Sequence, residues 1–330
     1  MTASTEPSSV ERLSPQRLPD FFIVGHQKCG TTALYRMLRR HPQVFMAGIK
    51  EPRYLASDLR DRFRIPATAT NPETLEDYLA LFSDARPDQL AGEASPNYLT
   101  SRTAANEIAQ LQPDARIIAI LREPASFLRS LHLQFLQTHV ETEKDMRKAL
   151  ALEQARREGK RIPSRSHRPS VLLYSHHVRY VEQLRRYHAV FPAEQILVLI
   201  YDDFRRDNEA TVRRVLRFLQ VDERVPVAPR DANPTVRLRS PRLHQLVHSV
   251  ASGESPVARA VQASAKALAP RGMTRERAVA IRGRLLYTSP AAPDERLMLE
   301  LRRRYKDEVV ALSEYLERDL VSAWGYRDID

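Results

Sequence analysis

One cysteine, Cys29, stands among 330 residues, which excludes internal disulfides and any cysteine-rich metal site. No apolar run approaches the roughly 20 residues that a membrane-spanning helix needs. The longest runs, Phe21–Gly25 and Ile117–Leu121, have the length of buried strands. The first twenty residues are polar and proline-rich and lack the apolar core of a secretory leader. These absences together predict a cytoplasmic protein in a reducing compartment. Lysine is also scarce, at seven of 52 basic residues, so two lysines inside candidate site segments, Lys28 and Lys50, draw attention.

A composition of 42% hydrophobic and 28% charged residues is that of a folded globular chain. The net charge of +11 suits a polyanion, whether nucleic acid, an acidic membrane surface or a multiply phosphorylated small molecule. A nucleic-acid surface would interleave basic residues with aromatics. Here the arginines are scattered over predicted helix faces, and no nucleic-acid partner is expected.

Strand and helix signals alternate. Strands are predicted at Phe21–Gly25, Gln43–Met46, Gln89–Glu93, Arg116–Leu121 and Gln195–Tyr201. Helices are predicted at Thr31–Arg40, Pro72–Phe82, Ser101–Leu111, Pro124 to about Thr138, Tyr174–Phe191, Asn208–Leu219 and Asp294–Leu320, with weak ones at Leu243–Val250 and Val257–Leu268. That order predicts an α/β fold with a central parallel sheet flanked by helices. Residues 1–19 read as a disordered tail and 20–330 as one domain, in which 141–170 and 226–293 are lid or acceptor-side elaborations; 141–170 is charged and irregular, a mobile cover.

The segment Gly25-His-Gln-Lys28-Cys-Gly30-Thr31-Thr32 joins the first strand to the first helix. A kinase-type phosphate loop reads G-x-x-x-x-G-K-[ST]. Both glycines and the final hydroxyl are in register here, but Thr31 occupies the lysine position and Lys28 stands three residues earlier. Amides at a helix start still cradle a phosphate, while the lysine that reaches a γ-phosphate is absent. Arg122 ends a strand and Ser130 follows on a helix, a pair able to face one anion at the carboxyl edge of a parallel sheet.

Four ordered segments, K-C-G-T-T-A-L, H-P-Q-V…K-E-P-R-Y-L, G-E-A-S-P-N-Y-L and L-R-E-P-A-S-F-L-R-S, resemble the sulfotransferases that use 3′-phosphoadenosine 5′-phosphosulfate (PAPS), nearest to the heparan sulfate and bacterial branch. The resemblance runs from about Phe21 to Leu219 and implies a three-layer, P-loop NTPase-like fold. It implies that Lys28, Gly30, Thr31 and Thr32, with Cys29 and Ala33 through backbone, hold the 5′-phosphosulfate. Arg122 and Ser130 would hold the 3′-phosphate, and Glu51 of Lys50-Glu51-Pro52 would be the base, with no metal required. A carboxylate serves as base when burial raises its pKa or when its acceptor is already activated.

Histidine bases occur elsewhere in the family, which keeps His26, His132 and His139 as rivals; His176 and His177 read as exposed helix residues. Heparan-type enzymes carry a lysine where this chain has Ala94, so Lys50 is expected to supply that charge. Glu93 and Ser95 read as lining the site or as a structural loop, and Arg282-Gly283-Arg284 matches a nucleotide-covering loop only loosely. A small-molecule or sugar-containing acceptor is expected. A P-loop kinase and a non-enzymatic polyanion-binding protein are the alternatives.

Overall fold

The computed structural model describes residues 17–59, 71–164, 166, 169–226 and 292–329, with the backbone of two short antiparallel strands at Arg237–Leu238 and Tyr287–Thr288. The weak helices predicted within 243–268 and the Arg282–Arg284 loop lie outside the described residues, as do residues 1–16 of the expected tail. From Arg17 onward the chain is tied down, with Arg17 bonded to the Asp20 carboxylate (2.6 Å) and to the Gln89 carbonyl (2.8 Å). Two compact units divide the chain: residues 1–122 with 182–232, and 123–181 with 233–330.

The first unit is built on five parallel strands: β1 (Phe21–Gly25), β2 (Val44–Met46), β3 (Leu90–Ala94), β4 (Arg116–Leu121) and β5 (Ile196–Ile200). Their order is β2-β3-β1-β4-β5. Every residue of β1 is buried, and β4 is buried from Ile117 on. A strand covered on both faces needs an unbroken apolar run rather than alternation, which is what Phe21–Gly25 and Ile117–Leu121 supply.

In chain order the helices are α1 (Thr31–Leu38), α2 (Leu75–Ala80), α3 (Ala104–Leu111), α4 (Pro124–Gln137), α5 (Met146–Ala151), α6 (Glu153–Arg157) and α7 (Tyr174–His177). There follow α8 (Tyr180–His188), α9 (Tyr201–Arg206), α10 (Asn208–Leu219), α11 (Glu295–Arg304), α12 (Lys306–Tyr315) and α13 (Leu320–Ala323). Six of them begin on a side-chain cap that the sequence offers. Thr74 and Asp77 form a capping box at α2, and the Glu123 carboxylate accepts from the Ala125 and Ser126 amides, with Pro124 at the first helical position.

Several predicted elements differ. The long helix expected over Tyr174–Phe191 is two helices parted at Val178, whose φ of −103° and ψ of 3° leave the helical region. The closing helix parts likewise at Tyr305 (φ −112°, ψ 18°). Neither break carries glycine or proline, the residues that punctuate a sequence. β5 ends at Ile200 because α9 begins at Tyr201.

The charged stretch 141–170 is not irregular where it is described. It forms α5 and α6 around an ion pair between Arg156 and Glu141 (2.8 Å), with side chains 1% and 0% exposed. The Tyr174 hydroxyl stands 3.3 Å from the same carboxylate. A buried pair is tolerated only when both charges are matched, and removing one leaves the other stranded. Arg156→Met should therefore cost about 3–5 kcal/mol of stability in urea denaturation. Breaking the exposed Lys160–Glu158 pair with Lys160→Ala should leave the midpoint unmoved.

Candidate active site

Parallel strands end on one edge of the sheet, so the segments after β1, β2, β3 and β4 emerge together there. The loop from β1 to α1 turns sharply through left-handed residues, Lys28 (φ 61°) and Gly30 (φ 84°). Gly30 is required twice over, since a Cβ would also stand 2.9 Å from the Phe204 ring. The His26 amide donates to Ile120 O at 2.7 Å, and the Gln27 side-chain amide donates to Asn97 Oδ1, fixing the loop from both sides.

Within this loop the Cys29 amide donates to His26 O (3.3 Å) and the Ala33 amide to Gly30 O (2.9 Å). The amides of Lys28, Gly30, Thr31 and Thr32 donate to no acceptor among the described residues. Consecutive free amides at a left-handed turn and a helix start form an anion cradle. Of the backbone donors expected at the phosphosulfate, Cys29 and Ala33 are thus engaged inside the loop.

Arg122 leaves the end of β4 and donates from Nη1 to Lys28 O (3.1 Å), its guanidinium carbon 4.7 Å above the Tyr201 ring. Burial, then the Arg122 charge, hold the Lys28 ammonium below its ordinary pKa. Lys28 forms no ion pair among the described residues. Ser130 is buried on α4 and belongs to the second unit. Burial pushes the Cys29 thiol up to about 12, so it stays protonated and is no nucleophile near neutral pH.

Glu51 follows β2 and its amide donates to Ala94 O (3.1 Å), at the end of β3. Lys50 Nζ lies 2.7 Å from one carboxylate oxygen and Arg53 Nη2 2.5 Å from the other. Burial pushes this carboxyl up, but Lys50 and Arg53 together outweigh it and hold the group below its ordinary value. Of the two conditions for a carboxylate base, a burial-raised pKa is therefore not met, and the activated acceptor is left: Glu51 is a clamped carboxylate. Arg53 was missed in the sequence, although it lies two positions from Glu51, because the backbone at both residues is left-handed, which no local signal announces.

The buried carboxyl is Glu93 instead. Tyr78 and Tyr98 both donate to its Oε2, at 2.6 and 3.1 Å, and Oε1 has no partner. Burial first, and the Glu51 charge last, push Glu93 from 4.5 up to about 7 against the hydrogen bonds. Of the rival bases, His26 is buried and donates from Nε2 to Gln183 Oε1 (2.6 Å). His132 and His139 lie in the second unit, where His132 Nδ1 stands 2.8 Å from the Tyr174 hydroxyl and Nε2 3.3 Å from Lys144 O. His177 is not exposed; it turns inward and donates to Val171 O (2.8 Å).

The model of the sulfotransferase family matches residues 19–224, and the chain belongs to that family. It is similar to carbohydrate sulfotransferase 15 of Homo sapiens, at 31% identity over 167 residues covering 37% of this chain and 28% of that protein. It is also similar to the bifunctional heparan sulfate N-deacetylase/N-sulfotransferase 3 of Homo sapiens, at 28% over 207 residues, 62% of this chain and 22% of that one. The chain thus spans less than a third of either relative. The crystal structure of a sulfotransferase from Alicyclobacillus acidocaldarius matches with a TM-score of 0.64 and 25% identity, over 93% of this chain and 99% of that one.

Because Glu93 keeps its proton longer in the folded protein, stability should be greatest below pH 4.5 as far as this group is concerned. It should fall as pH rises towards about 7 and level off above, by roughly 3 kcal/mol. Urea denaturation across that window should show the slope, and Glu93→Gln should flatten it.

Proposed function

We propose that the chain transfers a sulfuryl group from PAPS to a hydroxyl or amine of a small-molecule or carbohydrate-type acceptor, by in-line displacement and without a metal. One observation carries this reading: the four free amides of the β1–α1 loop lie beside two cations, Lys28 and Arg122. That arrangement suits a phosphate ester of more than one charge, and membership of the sulfotransferase family supports which one. The kinase alternative is not favoured, because Thr31 stands where kinase-type loops carry lysine.

Bound PAPS supplies a sulfuryl group attached to a phosphate leaving group. On this reading Lys28 and the Gly30, Thr31 and Thr32 amides stabilise the charge that gathers on that phosphate as its bond to sulfur breaks. Arg122 holds the 3′-phosphate, and Cys29 and Ala33 shape the loop. Glu51 takes the acceptor's proton while the acceptor oxygen or nitrogen bonds to sulfur.

A carboxylate clamped by Lys50 and Arg53 is a weak base. It therefore suits an acceptor whose proton becomes acidic only as the new bond forms, as in a loose displacement. Lys50 also supplies the charge that heparan-type enzymes draw from a lysine at the Ala94 position. The names of the relatives support a sugar acceptor, and a cytoplasmic setting belongs to the same proposal.

Calorimetry should find adenosine 3′,5′-bisphosphate bound without magnesium in preference to ATP with it; the opposite preference overturns the reading. In a labelled-PAPS acceptor panel, Lys28→Ala should lower kcat by about 10²–10³. Arg122→Ala should weaken bisphosphate binding by about 10- to 100-fold. Glu51→Gln should lower kcat by about 10²–10⁴ with bisphosphate affinity kept; full activity there removes the base assignment.

A further inference from the structure

The loop that carries Glu51 is fastened to the end of β3 and the turn beyond it. The Glu51 amide donates to Ala94 O (3.1 Å), the Arg53 amide to Ser95 Oγ (3.0 Å) and the Leu55 amide to the Tyr98 hydroxyl (2.9 Å). The Tyr54 ring stacks on Tyr78, with centroids 4.8 Å apart and 15° between planes. Two of these four attachments end on a phenol, and Glu93 Oε2 accepts from both phenols. Glu93 is the floor on which the Glu51 loop rests.

Glu93 is 0% exposed, and its Oε1 makes no hydrogen bond among the described residues. The groups that face it are Tyr78 of α2, Tyr98 and Ser95 of the following turn, Glu51 of the loop after β2, and Tyr187 of α8. The Tyr187 hydroxyl is also buried without a partner. None of these is a cation; Lys50 and Arg53 spend their charge on Glu51. The charge that acts on Glu93 is that of Glu51, whose anion disfavours a second anion there.

The coupling is reciprocal. A proton lost from Glu93 to solvent places a negative charge behind Glu51 and raises its affinity for the acceptor's proton. We propose that Glu93 is a positioning residue for Glu51: through Tyr78 and Tyr98 it fixes the 50–55 loop, and by ionising it strengthens the clamped carboxylate as a proton acceptor. This rests on the reading of Glu51 as base. It answers the question that the two-cation clamp raises, of how so weak a carboxylate gains basicity without losing either cation.

The test is kcat with PAPS and the acceptor identified in the panel, across about pH 5.5 to 9. In the wild type kcat should rise through an ionisation near neutral pH. Glu93→Gln keeps an amide oxygen for both tyrosines but cannot ionise. Its kcat should lose the rise and fall about three- to tenfold at the alkaline end, with bisphosphate affinity unchanged. A profile superimposable on the wild type overturns the proposal, and so does an equal loss at every pH, which marks a purely structural part.

A second measurement does not need that variant to fold. Carbon-13 NMR of the glutamate carboxyls should show Glu93 titrating at lower pH in Glu51→Gln than in the wild type, and an unchanged titration overturns the coupling. Full turnover by Glu51→Gln would instead remove the base reading, a failure distinct from either of these.

Discussion

Lys28 and Arg122 hold two positive charges together at the carboxyl edge of the sheet, and the rest of the site is arranged around that repulsion. Arg122 is fixed from two directions, by the Lys28 carbonyl and by the Tyr201 ring, so it cannot swing clear. Lys28 is fixed by its own left-handed backbone, which is also what turns the neighbouring amides outward. Burial and the Arg122 charge make the Lys28 ammonium hold its proton less tightly, and two cations together hold an anion more tightly. Their orientation costs nothing further when the anion arrives. The left-handed turn therefore serves two ends at once, placing a cation and exposing donors, and substitution of Gly30 would disturb both.

The two carboxyls beyond that cradle are separated by environment rather than by distance along the fold. Glu51 and Glu93 belong to adjacent segments joined by the hydrogen bond from Glu51 N to Ala94 O. One is clamped by Lys50 and Arg53 and held as an anion; the other is sealed among phenols and kept near neutrality. Pairs of acids whose environments drive them apart commonly divide a proton-handling task. Here the buried member carries the loop of the clamped one, so packing and proton affinity reach Glu51 through the same residue.

Much of this was legible in the sequence because it rests on local signals. β4 and α10 have the bounds that the apolar run Arg116–Leu121 and the stripe of Asn208–Leu219 predict, and the phosphate loop is announced by Gly25 and Gly30. What could not be read depends on long-range pairing. Arg156 and Glu141 look solvated in a charged stretch until the fold buries them against each other. Glu93 sits in a recognisable motif, yet its burial is decided by Tyr78 from another element. Nothing local told that Glu51 would be clamped rather than desolvated, since the outcome turns on the φ of Glu51 and Arg53. The helix breaks at Val178 and Tyr305 fall at residues that ordinarily continue a helix.

Ala94 gives the departure from the heparan-type pattern its physical sense. Its side chain is 1% exposed, at the end of a strand whose preceding residue already carries an unpartnered buried oxygen. Positive charge in this part of the first unit instead comes from Lys50 and Arg53, on the same short loop as Glu51. The two cations and the carboxylate they clamp thus belong to one loop, whereas a strand-borne lysine would belong to another element. Lys28, Arg122, Glu51 and Glu93 all belong to strand ends and loops of the first unit. On the sequence reading, acceptor choice falls to 141–170 and 226–293, most of which belongs to the second.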